Sequence, residues 1–240
     1  MPATMRTHLL LDVGNSTTVI ARYEQKKISE KHQIKTSDLI NSTILKENKF
    51  PLIVSSVVPE IDLYLQTLPN VQFVRHDTIS GITLNSPTPE QFGADRLVNA
   101  MAAYSLVKSS SLIIDSGTAI TFCYVDKSGT YQGGSIFPGM HIASQSLNDY
   151  TAKIPLIHVS PRENFIGKNT QDAVQAGLYY GYIDLINGAI ARYRKYDPAV
   201  TVIGTGNGLD VLKSAINIDR YEPDLILKGL AVWVETAYHI

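Results

Sequence analysis

Residues 10–18 read Leu10-Leu11-Asp12-Val13-Gly14-Asn15-Ser16-Thr17-Thr18, and residues 113–121 echo them as Ile113-Ile114-Asp115-Ser116-Gly117-Thr118-Ala119-Ile120-Thr121. Both stretches follow an apolar run, and both lead into another: Val19-Ile20-Ala21-Arg22-Tyr23 and Phe122-Cys123-Tyr124-Val125. Two apolar runs around a short turn of Asp, Gly and hydroxyl residues read as a β-hairpin. A second echo follows. Pro51–Val58 is a buried-strand run leading into a helix-like stretch from Pro59. Val200–Ile203 is another, followed by Gly204-Thr205-Gly206-Asn207-Gly208 and a helix-like stretch from Leu209 to Ala215. A repeated hairpin and strand–loop–helix predict two α/β domains of related fold, 1–108 and 109–240.

Between the hairpins, Leu97, Met101 and Tyr104 fall on one helix face, and Asp95 lies in the first turn. Pro87 and Pro89 keep the approach extended. The helix charge at that end is expected to keep Asp95 ionised at neutral pH. A long helix is predicted over Thr170–Lys195, with Val174, Leu178, Tyr182, Leu185 and Ala189 down one side. Gly177, Gly181 and Gly188 interrupt it, and glycine weakens a helix interior by about 1 kcal/mol. They are expected to permit close packing against the same core or another subunit.

Composition narrows the function classes. The 240 residues carry 44% hydrophobic and 18% charged side chains, as a globular protein does. The net charge of -1 offers no basic excess for a nucleic-acid partner. The single cysteine, Cys123, excludes an intrachain disulfide and a cysteine-based zinc site. The six histidines show no HExxH or other short ligand spacing. The apolar run after His8 is too short for a signal peptide, and no stretch approaches the roughly 18 residues of a membrane span. A cytoplasmic enzyme is expected.

Two glycine-rich stretches are set aside. Gly167-Lys168-Asn169-Thr170 is not a P-loop, since Arg162 stands at the first glycine position and Asn169 follows the lysine. Gly204–Leu209 is not GxGxxG, since Leu209 stands where the third glycine belongs. The Asp-x-Gly hairpins provide another way to hold a polyphosphate. Glycine lets backbone N–H groups approach, and turn amides form an anion-binding concavity. Asn15, Ser16, Thr17, Thr18, Thr118 and Thr121 add neutral donors. Asp12 and Asp115 need a cation or water between them and a phosphate, because like charges repel. Asp95 can accept the proton of an attacking hydroxyl, and Arg96 can hold a carboxylate in a bidentate fork.

Five motifs in order resemble type III pantothenate kinase: Asp12–Ser16, Gly93–Arg96, Asp115–Ala119, Gly133–Gly139 and Gly167–Thr170. The resemblance implies an α/β fold of the actin-like ATPase (ASKHA) superfamily, two ribonuclease H-like domains around a central cleft. It implies phosphorylation of pantothenate with ATP, the first step of coenzyme A synthesis, by a cytoplasmic homodimer. It implies a monovalent cation, K+ or NH4+, besides Mg2+ with ATP. Asp12, Val13, Gly14, Asn15, Ser16, Thr17, Thr18 and Val19 would cradle ATP, with Asp12 near magnesium and Thr118 also on ATP. Asp95 would be the general base; Gly93, Ala94, Arg96 and Thr170 would line the pantothenate site. Asp115 would bind the monovalent cation, and Gly204–Asn207 would lie near the adenosine. The chain departs from the family pattern at Ser16, usually Thr, at Ile120, often Thr, and at Ser86, usually a substrate-contacting Tyr. Ser86 keeps open another substrate for the same fold, and a non-catalytic ATP-binding regulator is the other alternative.

Overall fold

The structure, a computed structural model, describes residues 7–239. Residues 1–6, on which the reading of the N-terminus partly rests, and residue 240 lie outside it. In chain order the elements are β1 (His8–Val13), β2 (Thr17–Glu24), β3 (Lys27–Lys35), α1 (Thr43–Lys46), β4 (Leu52–Ser56), α2 (Pro59–Leu65), β5 (Val71–Phe73), β6 (Thr83–Leu84) and α3 (Ala94–Val107). There follow β7 (Ser111–Ser116), β8 (Ala119–Val125), β9 (Thr130–Pro138), α4 (Met140–Asp149), α5 (Thr170–Tyr196), β10 (Thr201–Thr205), β11 (Arg220–Tyr221) and α6 (Leu225–Tyr238).

The chain divides into two compact units. The first comprises Met1–Lys108, Val125–Gly133 and Asp224–Ile240; the second comprises Ser109–Tyr124 and Gly134–Pro223. The division read from the sequence used contiguous halves, whereas the chain returns to the first unit twice.

The first unit holds a sheet of order β3-β2-β1-β4-β5. β1 pairs antiparallel with β2 and parallel with β4. Successive side chains of β1 go to opposite faces. Leu10 packs with Val98 and Met101 of α3 and with Leu227, Leu230, Trp233 and Val234 of α6. Leu11 and Val13 pack with Leu45, Ile61 and Leu65 on the other side. The return of α6 to this unit follows from its composition, because its buried residues find their core there.

α3 and α6 approach closely at Gly229. A Cβ there would stand 2.3 Å from the Val98 carbonyl oxygen and 2.6 Å from its Cγ1. The periodicity of α3 holds for Leu97 and Met101, but Val98, Asn99, Ala100, Ala102 and Ala103 are buried as well. The helix is enclosed on nearly all sides.

In the second unit the strands run β11-β10-β7-β8-β9. β7 pairs parallel with β10, Asp115 lying opposite Thr205. β9 starts in the first unit, where Thr130 and Tyr131 pair with Thr83 and Leu84 of β6, and then continues into the second. α5 covers the core of the second unit with Ala176, Tyr179, Tyr182, Ile186 and Ile190. The expected stripe is therefore displaced: only Tyr182 lies at its centre, while Leu178, Leu185 and Ala189 flank it, partly buried. The three α5 glycines do not pack on the unit's own core, since a Cβ at any of them would meet nothing within 4 Å. The helix-like reading of Leu209–Ala215 is also corrected. Asn207–Val211 forms a single 3-10 turn, and its start is fixed by Gly206 at φ 86°.

Replacing Gly229 by Ala should force α3 and α6 apart. The expected loss is about 1–3 kcal/mol in urea unfolding, the usual scale of overpacking. An unchanged midpoint would show that the helices are not in close contact there.

Candidate active site

The first hairpin turn is held from behind. Gly14 N donates to Thr17 O at 3.1 Å, closing the turn. The buried Thr36 hydroxyl donates to Gly14 O at 2.6 Å. The Thr18 hydroxyl is 3.1 Å from the same Thr36 oxygen and, with the Thr36 proton already given, donates to it. Thr18 is fully buried, so its side chain stabilises the hairpin and is turned away from solvent. Val13 is likewise buried, while Asn15, Ser16 and Thr17 are exposed at the tip. By strand alternation Asp12 shares the Leu10 face, the one that α3 covers.

The N-terminus of α3 lies at the same end of the sheet. Val57 N, just past β4, donates to Val13 O at 3.1 Å. The Val57 side chain stands 3.7 Å from where a Cβ on Gly93 would be. Gly93 caps α3 without a side chain; a Cβ there would fall 2.5 Å from Asp95 Oδ1, so the carboxylate would have to move. The same oxygen accepts the Arg96 N–H at 2.8 Å. Burial raises the Asp95 pKa above its ordinary value. The Arg96 N–H and charge, and the Asp95 N–H, pull it down without prevailing. Desolvation thus outweighs the helix-end effect expected from the sequence. Ala94 is buried beside it. The Arg96 guanidinium lies 5.8 Å from the Phe92 ring centre and 6.0 Å from that of Tyr131. The sequence reading did not find Tyr131, which is far from Arg96 along the chain.

The second unit builds its own acidic turn. Asp115 is the penultimate residue of β7, and the Gly204–Gly208 stretch folds against it. A Cβ on Gly206 would lie 2.5 Å from Asp115 Oδ1, and one on Gly208 would lie 2.3 Å from Ser116 Oγ. Only a chain without side chains fits there. Ser116 Oγ is buried and finds no partner among the described residues. Gly117 and Thr118 form the exposed turn, and Gly139 N donates to Thr118 O at 3.0 Å. Val19 is half-buried on the first hairpin. Thr170 is exposed at the start of α5, next to Asn169, whose side chain accepts the Asp172 N–H. Asp12–Val19 and Gly93–Arg96 thus fall in the first unit, and Asp115, Thr118 and Thr170 in the second.

An acidic Asp-x-Gly turn thus follows a strand of each of the two sheets. The chain has the fold of MreB 5 of Spiroplasma citri, solved with AMPPNP, at TM-score 0.54 and 7% identity, covering 98% of this chain and 97% of that one. A Campylobacter jejuni structure named for the Baf family of transcriptional activators matches at TM-score 0.69 and 18% identity, over 97% of this chain and all of that one. These likenesses define the fold, that of the actin-like ATPases. The pattern of type III pantothenate kinase matches residues 8–192. The type III pantothenate kinase of Listeria monocytogenes is 34% identical over 92% of this chain and 94% of its own length. The chain belongs to the type III pantothenate kinase family, and its activity is the phosphorylation of pantothenate with ATP in coenzyme A biosynthesis.

The raised pKa of Asp95 makes a linkage prediction. The folded chain holds this proton more tightly than the unfolded chain does. Stability is therefore greatest below the ordinary value of 3.8 and falls as pH rises through the folded-state value. Ionised Asp95 is then a burden at neutral pH. Asp95→Asn should raise the melting temperature at pH 7, with the gain vanishing below about pH 4. A lower melting temperature at pH 7 would show that the ionised carboxylate is held favourably.

Proposed function

We propose that Asp95 accepts the proton of the primary hydroxyl of pantothenate as that oxygen attacks the γ-phosphorus of ATP. The bond from phosphorus to the β,γ-bridging oxygen breaks, and ADP leaves. The observation that carries this reading is the setting of Asp95. Its carboxylate is crowded at a helix N-terminus, with its pKa raised, at the same sheet end as the Asp12 hairpin. A base works best when its pKa nears the operating pH, so burial improves Asp95 for the task.

The exposed tip Asn15–Thr17 cradles the phosphates, and Val13, Gly14, Thr18 and Val19 hold its shape. Asp12 faces the phosphates through Mg2+, which supplies charge neutralisation when bound with ATP. Arg96 pairs with the carboxylate of pantothenate, and Gly93, Ala94 and Thr170 complete the substrate site. Thr118 contacts ATP, and Gly204–Asn207 lies near the adenosine. Asp115 holds the monovalent cation, K+ or NH4+. The fit is supported by its oxygen donors, a carboxylate beside the unpartnered Ser116 hydroxyl, which suit a hard cation. We place the enzyme in the cytoplasm; among the described residues no helix is long and apolar enough to cross a membrane.

The test is ADP release with ATP, magnesium and pantothenate, comparing potassium with sodium. Release should require pantothenate and potassium, and Asp95→Asn should lower kcat by about 100-fold or more. A near-wild-type rate in that variant would remove Asp95 from the mechanism, and equal rates in sodium would remove the cation from Asp115.

We also infer a homodimer formed through α5. Gly177 and Gly181 are exposed on it, and the preceding segment leaves Phe165 71% and Ile166 65% exposed. Exposed apolar surface beside a close-packing helix face suits a second copy of the chain. Light scattering should give twice the 26.4 kDa chain mass, and a monomer mass would refute the dimer.

A further inference from the structure

Arg96 emerges from the first turn of α3 beside two aromatic rings that meet edge to face, 5.0 Å between centres and 81° between planes. Tyr131 has no exposed surface. Its backbone is held by β6: Asn85 N donates to Tyr131 O at 3.0 Å, and Asn85 Nδ2 donates to Gln132 Oε1 at 2.6 Å. Gln132 Nε2 in turn donates to Asp126 Oδ2 at 2.7 Å. Phe92, half-buried, immediately precedes Gly93. One ring is therefore fixed by the sheet and the other by the approach to α3.

A long arginine side chain loses much rotamer freedom when it is held in one place. Aromatic faces attract the guanidinium, and its planar fork suits a bidentate carboxylate partner. We propose that Phe92 and Tyr131 are positioning residues that hold Arg96 with its fork presented to the substrate carboxylate. This rests on the reading that Arg96 binds that carboxylate. The pair acts through Arg96, so it governs substrate affinity and leaves the phosphoryl-transfer step to Asp95.

The experiment measures KM and kcat for the full chain with pantothenate and with pantothenyl alcohol, which lacks the carboxylate. The variants are Phe92→Leu, Tyr131→Leu and Tyr131→Phe, with Arg96→Ala as reference. Phe92→Leu and Tyr131→Leu should each raise the KM for pantothenate about fivefold, with kcat within about twofold and the alcohol unaffected. Tyr131→Phe keeps the ring and should behave as wild type. If the leucine variants leave the pantothenate KM unchanged, or raise the KM for acid and alcohol alike, the positioning role is overturned. Should Tyr131→Leu fail to fold, the half-buried Phe92→Leu decides by the same criteria. If wild type treats acid and alcohol alike and Arg96→Ala changes neither, the carboxylate reading itself has failed, and the ring pair falls with it.

Discussion

The burial of β1 on both faces governs the first unit. Leu10 is enclosed by α3 and α6, and Leu11 by α1 and α2. A strand with a side chain locked on each face cannot slip by one residue without exposing both cores. That fixes where β1 stops, and therefore where Asp12 and the Gly14 turn stand. The same register puts Asp12 on the α3 side, and Val13 O then binds Val57 N beside the start of α3. Packing deep in the sheet thus sets the position of two carboxylates at its rim.

The second unit reaches a similar arrangement by subtraction. Glycines at 206, 208 and 139 bring backbone within side-chain distance of Asp115, Ser116 and Thr118. Each added methyl group would collide with an oxygen, so the acidic turn is packed by main chain alone. The consequence is a concentration of carbonyl, carboxylate and hydroxyl oxygens with little hydrocarbon between them. One of these, the Ser116 hydroxyl, is buried without a partner among the described residues. Such a group is costly unless something satisfies it.

The hairpins were legible because an Asp-x-Gly turn between two apolar runs has few other readings. Family membership was legible for a different reason: five short motifs kept their order. α3 and α5 were visible through their spacing, although the buried line of α5 runs through Tyr179, Ile186 and Ile190 and not through the line drawn from sequence. Large aromatics on adjacent helix faces made two stripes plausible, and only the sheet beneath decided between them. α6 was missed although it carries a period, with Leu227, Leu230 and Val234 buried and Lys228, Glu235 and Thr236 on the less buried side. Thr18 looked like a ligand donor, but its hydroxyl was already committed to Thr36. Tyr131 was invisible for want of locality. The β6–β9 pairing that fixes it beside Arg96 joins distant stretches, and no local pattern announces such a pairing.

The return of α6 to the first unit bears on how the chain is born. The core against which Leu10, Val98 and Met101 close is completed by an element laid down after the whole second unit. Domains usually fold in the order they are synthesised, but here the earlier unit must wait for the later one to pass through the ribosome. During that interval the apolar flank of α3 has no native cover. Contacts between residues so far apart in sequence also slow folding. The nascent N-terminal sheet therefore keeps part of its apolar surface uncovered until the rest of the chain has been made.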